Sequence, residues 1–124
     1  MPAPRSQVDI PFDFQIGSSH LAAGRYVISN PERILLFVHG AKHSAMVMSM
    51  REQNSTPAKV GKVVFHRYGN QYFLREVWMA GASERIDCQQ SKAEQEAGRT
   101  RNVDQHASLP TPTNVELAFL ESPR

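Results

Sequence analysis

Between Val60 and Trp78 the chain reads VGKVVFHRYGNQYFLREVW, two runs rich in valine and aromatic residues on either side of Gly69-Asn70. Such side chains suit a pleated, half-buried surface, and a Gly-Asn pair between them predicts a β-hairpin with a two-residue turn. That turn fixes the pairing: Tyr68 opposite Gln71, Arg67 opposite Tyr72, Phe65 opposite Leu74, Val63 opposite Glu76 and Gly61 opposite Trp78. Because side chains alternate, one face carries Val63, Phe65, Tyr72, Leu74 and Trp78, with Arg67 and Glu76 among them. The other face carries Lys62, Val64, His66, Tyr68, Gln71, Phe73, Arg75 and Val77. Both faces hold apolar groups, so the hairpin calls for a second layer, a helix or a subunit partner, over the mixed face.

The flanking segments repeat the period of two. Val8, Ile10, Phe12, Phe14 and Ile16 alternate with polar residues and Pro11, which predicts a first strand at a sheet edge or with a bend at the proline, whose ring removes the amide donor. Arg25 to Ser29 follows as a second short strand. Arg33 to His39, RILLFVH, is almost continuously apolar and fits a central strand packed on both faces. After a break at Gly40-Ala41-Lys42-His43, Ala45 to Met50 sets Met46, Met48 and Met50 on one face. The expectation there is methionine filling irregular core volume; copper ligation needs thioethers that converge, which one strand does not supply. Arg51 to Lys59 reads as a polar loop, and Glu84 to Cys88 as a brief strand.

Ser91-Lys92-Ala93-Glu94 has capping-box spacing and predicts a short, polar helix to about Gly98, able to bury little surface. Residues 99–114 read as a linker with Pro110 and Pro112. Val115 to Leu120 reads as a last strand that must cross back over the molecule or enter a neighbouring subunit. Together these elements predict a mainly β protein, an antiparallel barrel or sandwich of about seven strands with one short helix in the C-terminal region. Residues 1–7 are expected to be a disordered N-terminal segment and residues 8–124 a single β domain.

A chain of 124 residues is long enough to bury a core in one domain and cramped for two. With 40% hydrophobic and 21% charged residues it falls among globular sequences, not disordered ones. Lys and Arg total 14 against 12 Asp and Glu, a formal charge of +2 spread along the chain, so no nucleic-acid partner is indicated. No run is long and apolar enough for a membrane-spanning helix, and MPAPRSQ lacks the apolar core of a signal peptide. Cys88 is the only cysteine, which excludes an intrachain disulfide and a multi-cysteine metal site.

Candidate chemistry is sparse. His39 and His43 bracket a turn, and His66 would complete a three-nitrogen site of catalytic-zinc type if its strand lay alongside. No His-Glu-x-x-His helix supports that arrangement. Cys88 follows Asp87, whose charge disfavours a thiolate, and no Gly-x-Ser-x-Gly elbow activates a serine, so no residue is assigned a catalytic role. No cofactor motif is present, and the glycines form no phosphate-cradling loop. Arg67 and Glu76, charges expected on an apolar face, together with Tyr72 and Arg75, are the candidate ligand-binding residues, since such charges must be paired or open to a cavity mouth.

The segments VDIPFDFQIG, HLAAGRYV, GKVVFHRYGNQYFLREVW and SKAEQEAGR together resemble a family of small bacterial β-rich proteins of unknown function, over most of residues 8–99. Relatives in that family are usually exported, so the resemblance implies a periplasmic or secreted protein, although this chain shows no leader and has Ala22 where relatives tend to have proline. It implies no activity and no catalytic residues. The expected function is a non-enzymatic binding or interaction module. The alternatives are a metal-dependent or hydrolytic enzyme built on His39, His43 and His66, and a structural homo-oligomer that exchanges its C-terminal strand.

Overall fold

The computed structural model describes residues 6–32, 34–53, 59–105 and 113–120, leaving aside the side chains of residue 31 and of residues 99–105. The strands are β1 Ser6–Ile10, β2 Phe14–Ile16, β3 Ser19–Leu21, β4 Gly24–Glu32, β5 Leu35–Gly40, β6 Ser44–Gln53, β7 Lys62–Tyr68, β8 Gln71–Trp78, β9 Glu84–Cys88 and β10 Thr113–Ala118. One helix, α1, spans Lys92–Gln105. The protein is therefore mainly β, as the period-two pattern requires.

The ladder runs β1-β4-β5-β6-β9-β8, and β8 then pairs β7, which pairs β10. Strand β8 is a branch point. Its full length pairs β7, while its other edge is shared by β9 near Glu76–Trp78 and by β2 at Phe73, where Gln15 makes the one parallel pairing among the described residues. Strand β6 also serves two neighbours, β5 through Ser44–Met48 and β9 through Ser49–Gln53. The two ends of the ladder approach each other, the Leu120 N–H donating to the Gln7 carbonyl at 2.7 Å, but no ladder joins β1 to β10 and the sheet is not closed.

Inside the curved sheet lie Val8, Ile10, Phe14, Ile16, Ile28, Leu36, Val38, Val63, Phe65, Leu74, Val77 and Ile86, all buried. Every apolar residue of the first alternating run thus points inward, apart from half-buried Phe12, which packs on the same core. The run is not one strand. Pro11 offers no amide to a ladder, and the chain turns there, so that β1 pairs β4 while β2 pairs β3 and β8.

The hairpin turns at Gly69, with φ of 62°, and Asn70, and pairs as expected from Tyr68–Gln71 to Phe65–Leu74. Beyond that point a β-bulge intervenes. Val64 faces Glu76, Val63 faces Val77 and Lys62 faces Trp78, so β8 holds one extra residue, Arg75. The predicted pairs of Val63 with Glu76 and Gly61 with Trp78 are corrected accordingly. A one-residue slip exchanges faces, so Val77 enters the core, whereas Glu76 and Trp78 lie together on the outer side, where the Trp78 Nε1–H donates to Glu76 Oε1 at 2.9 Å.

The second layer over the mixed face is α1. Ala93 and Ala97 rest on Tyr68 and Phe73. The helix continues past Gly98 to Gln105, so part of the expected linker is helical, and residues 106–112 lie outside the described residues. Residues 54–58 of the expected 51–59 loop also lie outside them, while β6 itself runs to Gln53. Strand β10 pairs β7 of its own chain, from Thr113–Arg67 to Ala118–Lys62. Strand β5 differs from expectation: Leu36 and Val38 are buried, but Leu35 and Phe37 are half-exposed, so only one of its faces is packed. Among the described residues no helix is long and apolar enough to cross a membrane.

Candidate functional site

The most heavily engaged polar group is Glu94, 1% exposed in the first turn of α1. Ser91 caps the helix, its Oγ accepting the Glu94 N–H at 3.1 Å. In a capping box the glutamate would turn back to the cap; here the outer face of the hairpin offers stronger donors. Glu94 Oε2 accepts the Tyr68 hydroxyl at 3.0 Å and Arg75 Nη1 at 2.9 Å, and lies 3.3 Å from His66 Nδ1. Arg75 Nε also donates to the Cys88 carbonyl at 3.1 Å, tying β8 to the end of β9. Glu94 Oε1 is buried with no hydrogen-bond partner among the described residues.

Burial alone would push the Glu94 carboxyl up. The His66 hydrogen bond, the Arg75 charge and the Tyr68 and Arg75 hydrogen bonds outweigh it and hold the carboxyl below its usual value. Tyr68 moves the other way, to about 12, through burial first and then its hydrogen bond to the Glu94 carboxylate. For a carboxylate whose folded pKa lies below its unfolded one, the stabilisation is fully present above the usual glutamate range, near about 4.3, and is lost as the pH falls through the depressed value. Hydrogen exchange of the α1 amides, corrected for intrinsic rates, should therefore quicken on acidification before that of β7 and β8. Glu94→Gln should abolish this pH dependence.

The four candidate ligand-binding residues do not converge. Arg67 is an exposed strand-end residue whose Nε donates to the Gly69 carbonyl at 2.7 Å, with its guanidinium 5.5 Å from the Tyr72 ring centroid. Tyr72 stacks on Phe12 at 3.8 Å between centroids. Glu76 is taken by Trp78, and Arg75 belongs to the Glu94 cluster. The three candidate metal ligands are also apart. His39 Nδ1 lies 3.3 Å from Ser44 Oγ, His43 lines a pocket with Asp13, His20 and Tyr72, and His66 is held at Glu94. Among the described residues no group of three or more His, Cys, Asp or Glu side chains is arranged to hold a metal ion. Cys88 is buried, and burial pushes its thiol up to about 12, far from a reactive thiolate.

The methionine stripe reverses its expected side. Met46, Met48 and Met50 are 55%, 60% and 64% exposed, while Ala45 and Ser49, which alternate with them, are buried. The segment AMVMSM carries apolar groups on both faces, so its alternation does not choose a side; with Phe14, Tyr26 and Phe65 occupying the interior, the small residues are the ones that fit. Phe37 and Leu35 stand opposite Met46 and Met48 across the ladder and extend the apolar outer surface. At one end of the stripe is a groove of 370 Å³, lined by Met48 and Met50 and by Arg75, Gln89 and Gln90. Its remaining charge, Asp87, is paired with Arg85 at 2.9 Å.

Neither Glu94 nor the Gln89-Gln90 connector was among the candidate residues. The available signal was charge matching: His66 and Arg75 shared a face with apolar residues and had no acid of their own, and the next acid at a defined structural position was the third residue after the Ser91 cap. The fold and site together define a mainly β protein with a helix clamped over its hairpin and an apolar groove beside the clamp. Comparison with family models, with curated proteins and with solved structures found no match to this chain.

Proposed function

We propose that this protein is a non-enzymatic binding module and that its ligand surface is the methionine-lined groove between β6 and the β9–α1 connector. The supporting observation is the exposed Met46-Met48-Met50 row leading into a 370 Å³ groove. That volume is at the small end of the roughly 300–1,000 Å³ occupied by small-molecule sites, and unbranched thioether side chains adapt to apolar ligands of varied shape. Of the charges on the outer face of the hairpin, Glu76 is engaged by Trp78 and Arg75 by Glu94, as expected of residues that hold a scaffold.

Binding is read with methyl-labelled methionine. On titration with 1-decanol below its own aggregation limit, the Met48 and Met50 methyl resonances should shift and saturate, while Met79, which packs against the core, should not. Replacing both groove residues, Met48→Ser with Met50→Ser, removes partial burial of two apolar side chains and should weaken binding about tenfold. Unmoved methyl resonances would refute the groove. Light scattering at high micromolar concentration should show a monomer; a dimer abolished by the same two substitutions would make the surface a self-interface instead.

A further inference from the structure

We propose that the groove's ligand is an anionic amphiphile, a free medium-chain carboxylate, whose head takes Arg75 from Glu94 and so releases α1. This rests on the groove reading above. Arg75 belongs to both structures at once: it walls the groove and donates to Glu94 Oε2. The connector Gln89-Gln90 likewise lines the groove and leads directly into the helix cap at Ser91. Occupancy of the groove and docking of α1 are thereby contiguous.

Charge accounting favours the exchange. With Glu94 in place, Arg75 is neutralised within the clamp, and Asp87 is neutralised by Arg85. An anion added to that arrangement would leave a carboxylate in a half-buried groove without a counter-charge, which is strongly unfavourable. If Glu94 departs, one carboxylate simply replaces another at the guanidinium, whose fork suits either. His66 and Tyr68, the other groups on Glu94 Oε2, then face water or the incoming head.

Only one oxygen of the departing carboxylate, Oε2, is held. Glu94 Oε1 has no hydrogen bond in the docked state and gains water on release. The remaining apolar hold on the described part of the helix is Ala93 and Ala97 against Tyr68 and Phe73, a small area. The exchange keeps a carboxylate on Arg75 but gives up the Tyr68 and His66 contacts of Glu94, and the contact of an apolar chain with Met48 and Met50 must offset that loss. Reciprocity follows: with Arg75 in place, undocking of α1 and binding of the carboxylate favour each other by one coupling factor.

The full chain is titrated with decanoate and, in parallel, with 1-decanol, following the Met48 and Met50 methyls for the groove and amide hydrogen exchange in α1 for the clamp. Decanoate should shift the methyls and quicken α1 exchange, whereas decanol should shift the methyls alone. Glu94→Gln should bind decanoate about tenfold more tightly than the parent chain, a gain that misfolding does not imitate. Arg75→Gln should lower decanoate affinity toward that of decanol. Decanoate binding with α1 exchange unchanged, equal loosening by decanol, or no gain in Glu94→Gln would each overturn this inference and leave the groove standing. Methyls that respond to neither compound would remove both.

Discussion

Phe65→Ala should cost about 3–5 kcal/mol, a large part of the roughly 5–15 kcal/mol that stabilises a domain of this kind. Phe65 is fully buried in β7, and its ring meets Phe12 and Phe14 edge to face at centroid distances of 5.0 and 5.5 Å. It faces Leu74 across one ladder and Val115 across the other, so truncation opens a void at the junction of β8, β10 and the chain crossing at Pro11. Phe14, Leu74 and Val115 beside it are each fixed in a ladder, which limits collapse into that space. Denaturant titration should show the midpoint falling with an unchanged slope, and Phe65→Leu, which keeps most of the volume, should lose less than about 1.5 kcal/mol. A loss below about 1 kcal/mol for the alanine variant would mean that Phe65 is not at the centre of the core.

The hairpin that contains Phe65 was legible because its signal is local. Gly69-Asn70 sets the turn, and the alternation on either side sets the faces as far as Phe65 and Leu74. The bulge at Arg75 was not legible, because nothing in HRYGNQYFLREVW prefers an inserted residue; the preference arises from β9, which pairs only the far half of β8, and from α1, which holds Arg75 outward. Pro11 announced a bend but not the change of partner. The inward or outward choice of the methionines depends on how full the interior is, a property of the whole fold. The same holds for Glu94: capping spacing located the helix, but the destination of its carboxylate depends on a hairpin face that begins far earlier in the chain, with Tyr68 26 and Arg75 19 residues before it. The segments GKVVFHRYGNQYFLREVW and SKAEQEAGR meet at that carboxylate through His66, Tyr68, Arg75 and Glu94.

Gly40→Ala should destabilise the protein by about 2–3 kcal/mol, through a clash that its sequence position conceals. At the end of RILLFVH this glycine reads as a strand break, yet it is the last residue of β5 and pairs Tyr26 of β4. A β-carbon there would stand 2.5 and 2.9 Å from two atoms of the Tyr26 ring and 3.1 Å from the His43 carbonyl oxygen. The ring cannot easily yield. It is 4% exposed, its hydroxyl donates to the Ala22 carbonyl, and its edge packs on Phe14 at 5.2 Å. The requirement for glycine is therefore the close approach of an aromatic ring across the ladder, not a left-handed backbone; the glycines with positive φ are Gly17, Gly69 and Gly81. A double-mutant cycle separates ring from turn. In a Tyr26→Leu background the clash is gone, so Gly40→Ala should cost at least about 1 kcal/mol less than in the parent chain. If the cost is unchanged, it comes from the turn, where the Gly40 N–H donates to the His43 carbonyl at 2.8 Å. In that case the substitution should also disturb the start of β6, and the Met46 methyl resonance should move with it.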